Sequence, residues 1–424
     1  MAATGTPDIH RTIDAVWRIE AARLIAGLTR ITRDVGQAEE LAQDALEAAL
    51  RQWPESGIPE KPGAWLMQSA KHRAIDGIRR RVMQQKKHAE ISRELESQEQ
   101  EMPDWDAALD DPVGDDVLRL IFTACHPVLS TEARAALTLR MVGGLQTDEI
   151  ARAFLVAEPT MAQRIVRAKR ALSDAKVPFE VPRGPELEAR LGSVLEVVYL
   201  IFNEGYAATS GEDWVRPNLC DEAIRLGRIL AELAVHEPEV HGLVALMEIQ
   251  ASRLHARIAP NGDPILLPDQ DRKRWDHMLI RRGLAALDRA AREAAQQGIG
   301  LGPYVLQAEI AACHARAHTA AETDWHRIVA IYEALGHIAP SPVVELNRAV
   351  AVSMAEGPAA GLALVDALLE APALKNYHLL PGVRADLLFK LDRRAEAKAE
   401  FERAAGMTRN ARERDLLLKR ASAC

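Results

Sequence analysis

The sequence predicts an all-helical protein, and three observations carry the prediction. Hydrophobic residues make up 48% of the 424 residues but aromatic ones only 4%, and Ala, Leu, Arg and Glu, good helix formers, are abundant. No stretch sustains the alternating Val, Ile and Thr pattern of strands. Apolar residues instead recur at steps of three and four through successive segments. The length allows about two to four domains with ample core.

The N-terminus, MAATGTPDIHRTID, lacks the layout of a signal peptide, and no apolar run approaches a membrane span, so a cytoplasmic protein is expected. Cys125, Cys220, Cys313 and Cys424 show no paired spacing and read as packing residues rather than zinc ligands or disulfides. A net charge of -8 would count against a nucleic-acid binder, yet the charge is unevenly distributed, so it has to be read along the chain.

Residues 12–53 predict two helices, the second starting near Ala38 and closed by Trp53-Pro54. Leu41, Ala45, Ala48 and Ala49 form its buried stripe, with Glu39, Glu40, Gln43, Asp44 and Glu47 mostly outside. After a Pro- and Gly-containing loop, Gly63 to Arg81 forms a helix in which Trp65, Leu66, Ala70, Ala74 and Ile78 pack. Lys71, Arg73, Arg79, Arg80 and Arg81 place positive charge beside them, able to hold a phosphate backbone or simply solvated. From Glu94 to Asp116 there are ten acidic residues and no Lys or Arg, broken by Pro103, Pro112 and Gly114. This is a linker.

Leu129 to Leu172 reads as three short helices with a turn. Thr147 caps a helix beginning Asp148-Glu149 that turns Ile150, Ala151 and Phe154 inward. Pro159 fits a first helical turn, and Met161, Ile165, Ala168 and Leu172 recur at four, three and four on a core face. Thr160, Gln163, Arg164, Arg167 and Ala171 lie on another face, which is short on carboxylates, and Lys169 and Arg170 add charge to the same helix. Two short helices alone also fit a plain packed hairpin. A helix-turn-helix is the sharper expectation.

Taken together, Ala38-Glu39-Glu40-Leu41-Ala42-Gln43-Asp44, then Trp65-Leu66, Ala70, Ala74, Asp76 and Arg79-Arg80, and then the Leu129–Leu172 stretch resemble the extracytoplasmic-function (ECF) sigma factors of the sigma-70-type family. The resemblance implies two small helical sigma domains joined by the acidic linker. Residues 12–84 would form region 2, 85–116 the linker and 117–176 the region 4 helix-turn-helix. Glu40, Leu41, Gln43 and Asp44 would then dock on core RNA polymerase. Lys71, His72, Arg73, Arg79, Arg80 and Arg81 would engage the -10 element, and Thr160, Gln163, Arg164, Arg167, Lys169 and Arg170 the -35 element of promoter DNA. His72 stands where the family often has Asn, and Leu155 where many members have a turn glycine.

Residues 177–424 exceed an ordinary ECF sigma factor. The stretches LGSVLEVVYLIFNEGYAATSG, LCDEAIRLGRILAELAVHEPEV, DRKRWDHMLI and SPVVELNRAVAV resemble the long TPR-like C-terminal extension of one ECF subgroup. That subgroup implies a small YCII-type (DGPF) protein as a partner. Independently, Ile328, Tyr332 and Leu335, Ala360, Leu364 and Ala367, and Ala397, Phe401 and Ala404 repeat one four-then-three step at intervals of 32 and 37 residues, which predicts a stacked helical repeat. This fused tail, rather than a membrane-bound inhibitor, is expected to control the protein.

Enzyme-like fragments do not assemble into a site. His236 to His241 misses the zinc-protease spacing, and Pro238 disturbs the helix such a metal pair needs. Gly298 to Gly302 follows no strand and reads as a turn, and Asn203-Glu204-Gly205-Tyr206 as a helix-ending polar network. No catalytic constellation, metal or cofactor is indicated. The expected function is recruitment of core polymerase to promoters, the alternative being a helix-turn-helix regulator that is no sigma subunit.

Overall fold

The computed structural model describes residues 6–73, 113–154, 156–182, 185–208, 210–211, 214–375 and 377–424. The all-helical expectation holds: the strands among the described residues are two parallel two-residue pieces, β1 (Ser210–Gly211) and β2 (Arg409–Asn410). The chain divides into two units, residues 1–197 and 198–424. Arg79, Arg80, Arg81, linker residues 85–112 and Leu155 lie outside the described residues.

In the first unit, α1 (Thr6–Thr32) and α2 (Val35–Ser56) form a hairpin. Arg33, at φ 54°, turns the chain, and Asp34 caps α2 by accepting the Gln37 N–H at 2.8 Å. Ile13, Trp17, Leu24, Ile25 and Leu28 line the buried side of α1. Trp53-Pro54 does not close α2, which runs to Ser56 and stops at Gly57, where φ is 81°. A proline in the last turn removes a single helical N–H, and Trp53 is anchored edge-on against Trp65, ring centroids 5.2 Å apart. Trp65 belongs to α3, helical over 62–73.

The rest of this unit comprises α4 (Val113–Ala124), α5 (Thr131–Met141), α6 (Thr147–Ala153), α7 (Glu158–Asp174) and the first part of α8 (Pro185–Tyr206). The unit therefore extends past residue 176, because α8 supplies polar staples. Arg190 donates to the Phe122 carbonyl and Ser193 to the Cys125 carbonyl, each at 2.7 Å, and Arg134 bonds Ser193. Those carbonyls end α4, where no helical N–H remains to satisfy them. Gly144, at φ 71°, brings the turn after α5 onto α1, and a Cβ there would lie 3.3 Å from the Arg18 Cα. No helix among the described residues is long and apolar enough to cross a membrane.

The second unit is built on α10 (Pro238–Ala251), which is buried on nearly every side by α9 (Pro217–Leu233), α11 (His277–Gln297) and α12 (Pro303–Arg316). The Gly298–Gly302 stretch is the connection between α11 and α12. Gly298 caps α11 in the left-handed conformation, and Gly302 lets the Glu239 carboxylate reach the Tyr304 N–H at 2.8 Å. Asn203 to Tyr206 is a helix-ending network, with Glu204 ion-paired to Arg216. Cys125, Cys220 and Cys313 are buried, and burial pushes the Cys125 thiol up to about 11.

Beyond α12, α13 (Trp325–Ile338), α14 (Pro342–Glu356), α15 (Pro358–Ala367), α16 (Leu379–Lys390), α17 (Arg394–Met407) and α18 (Ala411–Ser422) each pack on the next. The four-then-three stripe is the buried stripe of α17, through Ala397, Phe401 and Ala404, and Ile328 and Leu335 are buried in α13. It fails in α15, where Gly361, Leu362 and Val365 are buried while Ala367 is exposed. The reason is Gly361: a Cβ there would lie 2.8 Å from the Ala349 carbonyl, so this glycine is the point of closest approach to α14 and rotates the buried face by one residue.

Candidate nucleic-acid interface

The α6 and α7 pair is assembled by backbone capping. Thr147 is the first residue of α6 rather than its cap, and the returning half of the capping interaction comes from Glu149, whose carboxylate accepts the Gln146 N–H at 2.8 Å. The same carboxylate pairs with Arg18 of α1 at 2.9 Å. In α7 Pro159 sits in the first turn, and Met161, Ile165, Ala168 and Leu172 are all buried, as the spacing required.

Thr160, Gln163, Arg167 and Arg170 are exposed and Arg164 is half-buried. Arg170 pairs with Asp174 at 3.5 Å, but with both side chains mostly in solvent the pair is weak. This face carries long cationic and amide side chains free to meet bases or phosphates.

Lys169 is placed differently. Its ammonium is 2.9 Å from a carboxylate oxygen of Glu39, and Arg140 of α5 is 2.9 Å from the other. Arg140 also donates to the Leu145 carbonyl and to the Gln146 amide oxygen, so its guanidinium is fully engaged. The Glu39 side chain is 6% exposed, against 12% for Arg140 and 17% for Lys169. A buried carboxylate thus joins α2 to α5 and α7, where the expectation had Glu39 outside the packed stripe and Lys169 facing DNA. One acid shared by two bases offsets the desolvation of all three only while the cluster stays intact.

On α2, Glu40 is exposed, Gln43 and Asp44 are half-buried, and Leu41 is buried at 9%. Asp44 pairs with Arg73 of α3 at 3.3 Å, so residues expected to contact polymerase and promoter meet one another. Lys71 is half-buried and His72 exposed. A groove of 430 Å³ between α2 and α7 is lined by Asp34, Gln37, Glu40, Lys169, Arg170 and Asp174, among others.

The residue that sequence reasoning missed is Glu39. The signal was present: Glu39, Ala42, Leu46, Ala49 and Trp53 follow one another at three, four, three and four, and all are buried. A carboxylate within such a stripe needs a cation, and both of its partners lie over a hundred residues away in sequence.

Residues 18–82 match the family described as Sigma-70 region 2, residues 119–172 that described as Sigma-70, region 4, and residues 190–291 a family of unknown function, DUF6596. The chain is 44% identical over 391 residues to the uncharacterized protein R00370 of Rhizobium meliloti, covering 92% of this chain and 90% of that protein. It is 27% identical over 178 residues to the probable ECF RNA polymerase sigma factor SigI of Mycobacterium tuberculosis, covering 41% of this chain and 58% of that protein. No solved structure matches.

Proposed function

We propose, from the premise that this chain belongs to the sigma-70-type family in its ECF class, that α2 docks it on core RNA polymerase, α3 engages the -10 element and α7 reads the -35 element. The chain is an alternative sigma factor directing promoter-specific initiation. The observation that carries this is the presence of region 2 and region 4, in order, in one unit. A helix-turn-helix regulator would need only the second. Sigma factor families are not enzymes, so the chemistry of transcription belongs to the polymerase.

Within this reading Glu40, Gln43 and Asp44 form the docking edge, with Leu41 supporting it from beneath. Their exposure on one side of α2 supports that role. Lys71, His72 and Arg73 begin the -10 helix. Thr160, Gln163, Arg164, Arg167 and Arg170 form the -35 face, which Lys169 joins when its pair with Glu39 opens. Residues 177–424 govern activity, and a small YCII-type protein is a partner of the complex.

The test is whether the purified chain lets core polymerase initiate at promoters identified by transcript sequencing after induced expression. A regulator that is no sigma subunit would leave core polymerase inactive there. Arg164→Ala and Arg167→Ala are each expected to cost about 1 to 3 kcal/mol of promoter affinity where the contact is to a base edge, and to weaken all sequences alike where it is to phosphate. Footprinting on matched and scrambled -35 sequences separates the two. Asp44→Arg is expected to weaken co-purification with core polymerase while leaving the melting temperature nearly unchanged, because the Asp44–Arg73 pair is partly exposed to solvent and contributes little. Undiminished co-purification would remove α2 from the docking surface.

A further inference from the structure

Buried charges in the second unit are generally paired: Glu248 with Arg228 at 2.7 Å, Glu222 with Arg225 at 2.7 Å, and Glu204 with Arg216. One cluster departs from that pattern. Arg253 and Arg257 follow the end of α10, and Arg272 lies in the 3-10 turn Arg272–Arg274. Tyr206, Trp214 and Trp275 surround them. The Arg257 guanidinium carbon is 3.6 Å from the Tyr206 ring centre and 5.7 Å from that of Trp214. Arg253 lies 5.8 Å from both Tyr206 and Trp275, and Arg272 lies 4.8 Å from Trp275.

None of the three arginines bonds or ion-pairs to a carboxylate of the described residues. Arg272 spends its guanidinium on the His314 and Ala317 carbonyls and the Thr323 hydroxyl, so it is a staple. Arg253 donates one N–H to Gln250, while its Nε is buried with no acceptor. Arg257 is 8% exposed, and its side chain makes no hydrogen bond among the described residues. The indole N–H groups of Trp214 and Trp275 are also buried without an acceptor, so three of the eight such side-chain atoms among the described residues fall in this cluster. The adjacent His314 brings no acid either: burial, then the arginines, pulls its pKa down to about 3.

Donors without acceptors and cations without acids are costly to bury, and here Arg257, the Arg253 Nε and two indole N–H groups lie around Tyr206 with no carboxylate paired to them among the described residues. The complement of such a set is an oxyanion, which accepts several charge-assisted hydrogen bonds at once. We infer that Arg253 and Arg257, with the indole N–H groups of Trp214 and Trp275, bind the phosphate or carboxylate end of a small molecule. Arg253 is 9% and Arg257 8% exposed, too little for a peptide or nucleic-acid backbone to reach them, so the ligand inferred is a small anion. Every residue of the cluster except His314 lies within 190–291, so the site gives that segment a chemical role independent of promoter recognition.

The test uses the full chain in chloride buffer, titrated with inorganic phosphate or with malonate at constant ionic strength, reading melting temperature and tryptophan fluorescence. At least one anion is expected to raise the melting temperature by a few degrees with saturation, with a parallel fluorescence change. The anion giving the larger response identifies the headgroup class. Arg257→Gln is expected to weaken the response about tenfold or more, and Trp214→Phe, which keeps an aromatic ring but deletes the N–H donor, to weaken it as well. Circular dichroism confirms that each variant is folded. The inference is overturned if neither anion gives a saturable response with the wild-type chain, or if folded Arg257→Gln and Trp214→Phe respond as wild type does.

Discussion

Replacing Glu39 with alanine is expected to part α2 from α5 and α7 while leaving the helices formed. The substitution leaves Arg140 and Lys169 facing each other with little solvent and no acid, which in a closed structure costs about 3 to 5 kcal/mol. A covalently continuous core would have to absorb that cost, whereas packed helices of two regions can separate and return both cations to water. Hydrogen exchange should therefore accelerate along the facing edges of α2 and α7 with the far-ultraviolet circular dichroism unchanged. Glu39→Gln, which keeps an acceptor but not the charge, should fall between. Wild-type exchange in Glu39→Ala would mean that apolar packing alone holds the two regions together.

The second large effect concerns where the first unit ends. A fragment ending at Lys176 is expected to melt well below one ending at Val197, although the shorter one contains the whole of both sigma regions. Truncation at 176 removes Arg190 and Ser193, leaving the Phe122 and Cys125 carbonyls without their side-chain donors, at about 1 to 3 kcal/mol each, and strips Arg134 of its Ser193 and Glu196 partners. Differential scanning calorimetry of the two fragments measures the gap, and equal midpoints would show that these staples contribute nothing. For the same reason the influence of the tail on transcription has to be judged with the longer fragment, since a loss of activity in the shorter one confounds regulation with a damaged region 4.

What could be read from the sequence was what is local. The four-three-four spacing of Met161, Ile165, Ala168 and Leu172 fixed the packed face of α7 and, by difference, the exposed row at Thr160, Gln163 and Arg167. Residues joined only by tertiary structure were out of reach. Glu39 meets Lys169 across 130 positions, and Arg190 meets Phe122 across 68. The arginine and tryptophan cluster of the tail draws on separate segments from Tyr206 to Trp275, and nothing in their spacing shows that these side chains meet. Periodicity also misplaced the stripe of α15, because a glycine at closest approach changes which side of a helix faces its neighbour, and spacing alone does not record how near that neighbour comes.

The carboxylate of Glu39 is, in effect, a competitor for whatever else would take the Lys169 ammonium. A partner that needs that ammonium binds only the fraction of molecules in which the pair is broken, and its apparent dissociation constant rises by the reciprocal of that fraction, tenfold for every 1.4 kcal/mol of closure. Dissolved ions act unequally on the two sides of this contest. The enclosed pair is shielded from them, while a DNA phosphate loses affinity steeply as its released counterions are met by more concentrated salt. If the proposed contact of Lys169 with promoter DNA holds, rising ionic strength withdraws Lys169 from it, and the salt dependence of promoter binding should steepen in Glu39→Ala by roughly one counterion.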